Sequence, residues 1–210
     1  MFVLARRARY GAGMGASRRL VRRFWQGGVV VWALLLASEA AGGWIRFYGV
    51  TLGGGVSERI EAVMVPVQVE IGLRLPEIFE KPLRETPIRV EWLLEAWVAP
   101  IVGQRNTVEA GVNPVGLRVA FDGGQSLVPF VDLSGGIMVT GLRQVGTGGG
   151  FQFSESVRAG FQWFVTAETA VSLSYQYRHM SNARIYDQNA GLDTHYALLG
   201  FHWFPDRVAK

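Results

Sequence analysis

The chain contains no cysteine, so disulfide bonds and thiolate metal sites are both excluded. Charged residues make up only 18% of the sequence, where soluble domains usually have about a quarter. Beyond the N-terminal region no long uncharged run occurs, which excludes a helical membrane protein for the rest of the chain. Glycine, with 27 residues, and aromatic side chains, at 12%, are by contrast abundant. This balance favours a glycine- and aromatic-rich all-β protein.

The N-terminal region has the layout of a secretory signal peptide. An apolar segment at 29–37 follows a basic stretch, and the small residues Ser38 and Ala40 flank Glu39 as in a cleavage site. The arginines of the basic stretch are Arg6, Arg7, Arg9, Arg18, Arg19, Arg22 and Arg23. We therefore predict a signal peptide at 1–40, cleaved near Ala40, and a mature domain at 41–210. An uncleaved anchor helix is the alternative, but the apolar segment is short for a bilayer span.

The basic character of the whole chain comes from this leader. The net charge is +4 and the sequence pI is about 9.8, but the leader alone contributes the seven arginines that precede residue 24. Without them the remaining chain is near neutral or slightly acidic. A nucleic-acid partner, which would need a basic surface, is therefore not expected.

Past residue 41 the sequence alternates between apolar and polar side chains with a period of two, which is typical of β-strands. Eight segments show this pattern, at 44–53, 65–75, 88–100, 107–121, 127–140, 151–164, 169–182 and 193–204. In the fourth segment the phase shifts at Asn113 and Pro114, as a β-bulge would cause. Eight strands of this length predict an eight-stranded antiparallel transmembrane β-barrel.

The polar faces of these strands are too charged for the core of a soluble protein. We expect eight charged side chains to line the barrel interior and to pair there: Glu70, Arg74, Arg89, Glu91, Glu95, Arg118, Asp132 and Arg158. Aromatic residues at strand ends resemble the interfacial girdles of membrane barrels: Trp44, Tyr48, Trp163, Phe164 and Trp203. A soluble lipocalin-like barrel, with the two faces exchanged, is the alternative that this pattern leaves open.

Four polar residues interrupt the apolar faces of the last two predicted strands. His179 and Ser181 continue the odd-numbered, apolar face of the seventh strand, and Asp193 and His195 continue that of the eighth. All four are therefore predicted to project toward lipid near one rim of the barrel. Polar side chains on a lipid-facing surface are costly, so we interpret their presence as functional.

The spacing of these residues permits a catalytic triad. Two residues on one strand face are about 6.6 Å apart in Cα position, and neighbouring strands are about 4.8 Å apart. If Asp193 pairs opposite His179 or opposite Ser181, its carboxylate can reach the imidazole. Ser181 would then be the nucleophile, His179 the base that takes its proton, and Asp193 the acid that orients the imidazole. His195 lies beside this site as a spectator.

The segments "RHMSNA", "NAGLD" and "HYALLGFHWF" resemble the lipid A 3-O-deacylase (PagL) family of outer-membrane barrels, also called the acyloxyacyl hydrolase family. His179, Ser181, Asn182 and Ala183 match the first motif of that family. Asn189 and Gly191 match its loop residues, and Asp193 stands where the family typically has Glu. Arg184 occupies a position that is often Gly in the family.

The resemblance implies a serine esterase that removes the 3-hydroxyacyl chain at position 3 of lipid A. No cofactor is expected, and no metal ion either, because the three histidines lack a convincing set of carboxylates. It also implies an oxyanion hole to which Asn189 contributes, supported by Asn182 and Ala183. The substrate would be lipopolysaccharide of the Gram-negative outer membrane. Arg184 lies near the rim, where it could contact a lipid A phosphate or remain a solvated loop charge.

Other functions remain open at this stage. A non-enzymatic small outer-membrane barrel with a structural or adhesive role would have the same strand pattern. A phospholipid or another ester could also be the substrate. The sequence leaves open whether the barrel forms a homodimer.

Overall fold

The computed structural model describes residues 43–103, 106–142 and 146–207. The signal peptide predicted at 1–40 lies outside these residues. No helix among them is long and apolar enough to span a membrane. The connection at 75–87 contains the short helix α1 (Glu77–Glu80), which is followed by a turn of 3₁₀-helix at Lys81–Leu83.

The described chain forms one antiparallel sheet that closes on itself. Its strands are β1 (Ile45–Ser57), β2 (Ala62–Met64), β3 (Val67–Arg74), β4 (Ile88–Gly103), β5 (Thr107–Phe121), β6 (Leu127–Thr140), β7 (Phe151–Phe164), β8 (Thr169–Ser181) and β9 (Leu192–Trp203). Consecutive strands from β3 to β9 pair with each other, and β9 pairs with β1 to close the ring. The barrel predicted from the alternating pattern is thus confirmed.

Strands β2 and β3 together occupy one strand position in the ring, since both pair with β1 and with β4. The interruption falls at Val65 and Pro66, because proline has no backbone N–H to donate to a neighbouring strand. Bonds from Val65 N to Pro100 O (3.0 Å) and from Gly53 N to Pro66 O (3.2 Å) bridge the gap. The sequence pattern therefore counts eight strands where the backbone has nine segments.

The β-bulge predicted in the fourth alternating segment, at 107–121, is present in β5. The register between β5 and β6 shifts between Val112 and Val115, which places the irregularity at Asn113 and Pro114. Asn113 turns inward there, and its Nδ2 donates a hydrogen bond to Glu95 Oε2 at 3.0 Å. The bulge thus adds a polar partner to the barrel interior.

The outer surface of the barrel is apolar, and its interior combines buried charged and polar side chains with two apolar clusters. Outward side chains on every long strand are large, hydrophobic and exposed, among them Leu52, Trp92, Val98, Leu117, Leu133, Phe161, Leu173 and Phe201. This is the inverse of a soluble barrel and fits a surface that contacts lipid. The lipocalin-like alternative, which needs a polar outer surface, does not fit the structure.

The interior is held together by a buried network of ions. The guanidinium of Arg118 donates to both carboxylate oxygens of Asp132 at 2.8 Å and to Glu70 at 3.0 Å. The guanidinium of Arg158 contacts Glu70 at 2.5 Å, Glu95 at 3.1 Å and Asp132. These groups are nearly inaccessible to solvent, so each charge depends on its partners for compensation.

The remaining predicted interior charges also pair, but closer to the rim at which β1 begins. Arg89 forms ion pairs with Glu91 and Asp122, and Arg74 pairs with Asp206 at 3.2 Å. The prediction that the charged faces line the interior is therefore confirmed.

Arg158→Met is expected to destabilise the barrel strongly. The substitution leaves Glu70 and Asp132 with Arg118 alone and removes the only ion-pair partner that Glu95 has among the described residues. Removing one partner of a buried ion pair costs about 3–5 kcal/mol. The free energy of unfolding, measured by urea titration of the barrel in lipid vesicles, should fall by this amount.

Arg84→Met provides the matched control for this measurement. Arg84 pairs with Glu77, and both side chains are mostly exposed, so its loss should change stability by less than about 1 kcal/mol. Equal stability of the Arg158→Met protein and the wild type would contradict the role of the network.

Aromatic side chains surround the rim at which β1 begins and β9 ends. Four of the five predicted girdle residues face outward: Trp44, Tyr48, Trp163 and Trp203. The prediction for Phe164 is wrong, since its side chain is only 7% exposed and packs on Phe204 at a centroid distance of 5.0 Å. Phe164 is one residue out of phase with Trp163, so the alternation turns it into the barrel.

Candidate active site

The register of β8 and β9 brings the predicted base and acid together. His179 pairs directly opposite Asp193, and their side chains meet on the outward face with 2.6 Å between His179 Nδ1 and Asp193 Oδ1. Each side chain is a little over one-third exposed, at 38% and 39%. The pair lies at the rim opposite the strand ends that carry the aromatic girdle.

This contact fixes the chemistry of the imidazole. A carboxylate can only accept hydrogen bonds, so the proton on the near side of the ring sits on His179 Nδ1. In the neutral imidazole the other nitrogen, Nε2, then holds a free lone pair. His179 is therefore arranged to take a proton at Nε2.

The carboxylate of Asp193 has a second hydrogen-bond donor besides His179, the hydroxyl group of Tyr177. Tyr177 Oη donates a hydrogen bond to Asp193 Oδ1 at 2.8 Å, so this oxygen accepts hydrogen bonds from both Tyr177 and His179. The sequence analysis missed Tyr177. Its position on the same odd-numbered face, two residues before His179, is the signal that could have identified it.

Ser181 is the last residue of β8 and lies on the same face as His179, one step further toward the rim. Its hydroxyl makes no hydrogen bond to any described residue, so the contact to His179 that the triad requires is not formed. Hydrogen bonds between nucleophile and base are often long or absent before substrate binds. The structure thus joins two of the three predicted residues and leaves the third adjacent to them.

The connection from β8 to β9 is anchored by a buried asparagine. The side chain of Asn182 is fully buried, and its Nδ2 donates to Thr147 O at 2.8 Å and to Gln188 O at 2.6 Å. Asn182 therefore links this connection to the one between β6 and β7. Its role in the structure is to support the loop rather than to face the substrate.

The side chain of Asn189 is oriented by the backbone of Asn182. Its Oδ1 accepts a hydrogen bond from Asn182 N at 2.8 Å, and the opposite end of the amide carries two N–H groups. Those groups make no hydrogen bond to any residue that the structure describes. The amide of Asn189 is thus held with free donors, which is what an oxyanion hole needs.

Ala183 and Arg184 form a tight turn directly after Asn182. Both have positive φ angles, 50° and 67°, and Ile185 N donates to Asn182 O at 2.9 Å. Positive φ at both central residues is typical of a type I′ turn. Glycine adopts this conformation without strain, whereas Arg184 does not, and its side chain is exposed.

Gly191 packs against the imidazole at the end of the connection. It has a φ angle of +67°, and a Cβ added there would lie 2.7 Å from His179 Cε1 and 3.3 Å from Nε2. Arg59, from the connection between β1 and β2, donates from Nη1 to Ala190 O at 2.6 Å and to Gly191 O at 3.0 Å. Arg59 escaped the sequence analysis, since nothing local marks a contact so distant in the chain.

His195 lies next to the site with partners of its own. Its Nδ1 is 2.5 Å from Tyr175 Oη and its Nε2 is 3.3 Å from Glu58 Oε1. The ring also contacts Tyr177, at a centroid distance of 5.5 Å. His195 is therefore a neighbour of the His179–Asp193 pair that makes no contact with it in hydrogen-bond range.

An apolar groove of about 440 Å³ begins at His179 and Tyr177 and crosses the outer face of β7, β6 and β5. Apolar side chains line most of it: Val115, Leu117, Leu133 and Val157. Small residues, including Gly116 and Gly135, make the surface concave there. Its shape and lining suit an extended hydrocarbon chain.

No group of three or more His, Asp or Glu side chains with the arrangement of a metal site occurs at residues 43–103, 106–142 and 146–207. The chemistry available at this rim is that of the imidazole, the carboxylate, the serine hydroxyl and the free amide donors.

Comparison with known proteins identifies the family. The family model described as lipid A 3-O-deacylase (PagL) matches residues 68–202, more than half of the chain. The crystal structure of the outer membrane enzyme PagL is similar with a TM-score of 0.59 and 16% identity, covering 72% of this chain and 97% of that one. Neisserial surface protein A (NspA) has a TM-score of 0.54 and 12% identity, covering 78% and 97%. Curated protein sequences give no match.

The two solved structures share the barrel fold, and the family match includes every strand that carries the lumen network and the outward His179–Asp193 pair. The apolar outer surface and the polar interior agree with an outer-membrane location. The chain belongs to the lipid A 3-O-deacylase (PagL) family of the Gram-negative outer membrane.

Proposed function

We propose that this protein is a serine esterase that hydrolyses the ester-linked 3-hydroxyacyl chain at position 3 of lipid A. The observation that carries the proposal is the His179–Asp193 hydrogen bond on the lipid-facing side of the barrel, which leaves Nε2 free to act as a base, on the strand face that also carries Ser181. Placing a polar pair beside hydrocarbon costs free energy, so its presence there indicates a function. The family supplies the substrate class.

The location of the pair supports an acyl ester of the outer leaflet as the substrate. The two ends of the described barrel, at β1 and β9, lie at the rim opposite to the site, and in outer-membrane barrels that rim faces the periplasm. The site then lies at the level of the outer leaflet, which consists of lipopolysaccharide. The apolar groove next to His179 offers a surface for the acyl chain.

The first half of the reaction forms an acyl-enzyme. Ser181 Oγ attacks the ester carbonyl while His179 Nε2 takes the hydroxyl proton, and Asp193 stabilises the resulting imidazolium. The negative charge that develops on the carbonyl oxygen is stabilised by the free amide donors of Asn189. When the C–O bond breaks, His179 returns the proton to the sugar oxygen and the deacylated lipid leaves.

The second half of the reaction releases the fatty acid. Water attacks the acyl-serine carbonyl, and His179 Nε2 takes a proton from it as it did from Ser181. Collapse of the tetrahedral intermediate breaks the bond to Ser181 Oγ, which recovers its proton from the imidazolium. The products are a free 3-hydroxy fatty acid and a lipid A lacking one acyl chain.

Arg184 is proposed to contact a phosphate group of the substrate. Its side chain is exposed at the turn that follows the site, and it has no ion-pair partner among the described residues. A guanidinium binds phosphate oxygens well, often with two hydrogen bonds.

The proposal is tested by mass spectrometry of lipid A from cells that do or do not express the protein. Expression should produce lipid A lighter by one 3-hydroxyacyl chain, together with the free 3-hydroxy fatty acid. Heat-modifiable mobility in gel electrophoresis verifies that the barrel is folded in the membrane. Unchanged lipid A in cells with a folded barrel would contradict the proposal and favour the structural or adhesive role.

A further inference from the structure

Glu155 is a carboxylate on the lipid-facing side of the barrel, outside the interior ion network. It lies on β7 directly opposite His179, is exposed, and lines the apolar groove together with Val157 and Leu133. It makes no hydrogen bond or ion pair with any part of the chain that the structure describes. The other polar residues that line the groove are Tyr177, His179, Ser134 and Ser156. The two serines lie on the inward faces of β6 and β7, where their hydroxyls hydrogen-bond each other at 2.7 Å.

Of these residues, Tyr177 and His179 share the outward face with Glu155, and neither donates a hydrogen bond to it. The hydroxyl proton of Tyr177 and the Nδ1 proton of His179 are both directed at Asp193, and Nε2 of the neutral imidazole is an acceptor. A charged group on the lipid face of a membrane barrel is destabilising. The carboxylate is therefore available to accept a hydrogen bond from a group outside the barrel, such as a hydroxyl of a ligand that occupies the groove.

The position of Glu155 indicates which part of an acyl substrate it meets. Directly opposed residues have Cβ atoms about 4.5–5.5 Å apart, so the carboxylate lies beside the imidazole. Ser181 is one same-face step further toward the rim, about 6.6 Å along the strand, and its own neighbour on β7 is Phe153. A chain that runs from a carbonyl at Ser181 into the groove passes Glu155 with its first few carbons.

We propose that Glu155 accepts a hydrogen bond from a hydroxyl group on the third carbon of the acyl chain, and so selects 3-hydroxyacyl esters over unsubstituted acyl esters. This inference rests on the proposed esterase function and assigns a specificity-determining residue to it. An unsubstituted chain leaves the carboxylate unpaired against hydrocarbon, whereas a 3-hydroxyacyl chain supplies the donor. A hydrogen bond to a charged group corresponds to a selectivity of about 10- to 100-fold.

The test compares two synthetic glucosamine esters that differ only in the chain at position 3, one 3-hydroxytetradecanoyl and one tetradecanoyl. The purified barrel in detergent micelles should hydrolyse the hydroxylated ester with a kcat/KM about 10- to 100-fold higher. In Glu155→Leu the ratio should fall close to one, because the hydroxylated ester loses its acceptor and the plain ester no longer meets an unpaired charge. Glu155→Gln, whose amide oxygen still accepts, should keep part of the preference.

Glu61→Leu is the matched control. Glu61 is an exposed acid at the same rim with no side-chain partner among the described residues, but it does not line the groove, so the ratio should remain that of the wild type. Gel mobility before and after heating checks that each variant is folded.

The outcomes separate this inference from the function on which it rests. If the wild type hydrolyses both esters at equal kcat/KM, or if Glu155→Leu lowers both equally, Glu155 does not read the hydroxyl group and the inference is overturned. If the folded wild type hydrolyses neither ester nor lipid A, the esterase proposal itself fails and takes the inference with it. A ratio that falls only in the Glu155 variants supports both.

Discussion

Ser181→Ala is expected to reduce deacylation by about 10⁵- to 10⁶-fold, the range in which loss of a triad nucleophile reduces kcat. The substitution removes the only atom on which the acyl-enzyme can form. The His179–Asp193 hydrogen bond, the free amide of Asn189 and the groove all remain in place. A small residual rate should persist, because His179 can still activate a water molecule. Free fatty acid released from lipid A by the purified barrel, followed by mass spectrometry, gives the rate.

Ser174→Ala is the matched control for this prediction. Ser174 lies on the same strand but faces the barrel interior, is 6% exposed, and its hydroxyl has no hydrogen-bond partner. Its removal should leave both folding and activity unchanged. A Ser181→Ala barrel that keeps a tenth or more of the activity would exclude an acyl-enzyme on Ser181 and would instead favour direct attack by water.

The alternation of side chains was sufficient to predict which residues face lipid and which face the interior. Side chains alternate between the two faces of a strand. Once one residue is assigned to a face, every other residue of the strand is assigned too, until a bulge changes the phase. Asn113 and Pro114 marked that bulge in the sequence. The same rule places Phe164 inside, and the error there came from giving its position at a strand end more weight than its phase.

The alternation of side chains does not determine the register between neighbouring strands. Asp193 was expected opposite either His179 or Ser181, and only the register decides for His179. The interruption at Pro66 was likewise absent from the alternation, because the interior phase continues unchanged from Met64 to Gln68. Register depends on turn lengths and on packing across the whole ring, neither of which a single strand contains.

The loops that support the site were the least predictable part. Arg59 contacts Ala190 and Gly191 from the far end of the sequence, and Asn182 contacts Thr147 from another loop. Neither contact has a local signature. Gly191 was identified through the family motif, but the physical reason is visible only in the structure, where its lack of a side chain leaves space for the imidazole of His179.

Asp193→Asn is expected to lower kcat by about 10⁴-fold, the loss seen when the acid of a serine-hydrolase triad becomes an amide. In the wild type the carboxylate accepts the proton of His179 Nδ1, which keeps Nε2 free to act as the base. An amide can turn its NH₂ group toward Nδ1 and donate instead. The imidazole proton then moves to Nε2, the atom that has to accept the proton of Ser181, so the base is lost although the geometry is preserved.

Asp193→Glu separates this effect from a simple loss of packing. A glutamate keeps the charge and the acceptor, and the side chain is over one-third exposed, so the longer arm has space to adjust. We expect the Asp193→Glu barrel to keep its activity within about tenfold of the wild type, or about 1.4 kcal/mol of transition-state stabilisation. If Asp193→Asn were as active as Asp193→Glu in the same fatty-acid release assay, the carboxylate would not control the tautomer. The hydrogen bond that His179 makes with Asp193 would then be only a structural link between β8 and β9.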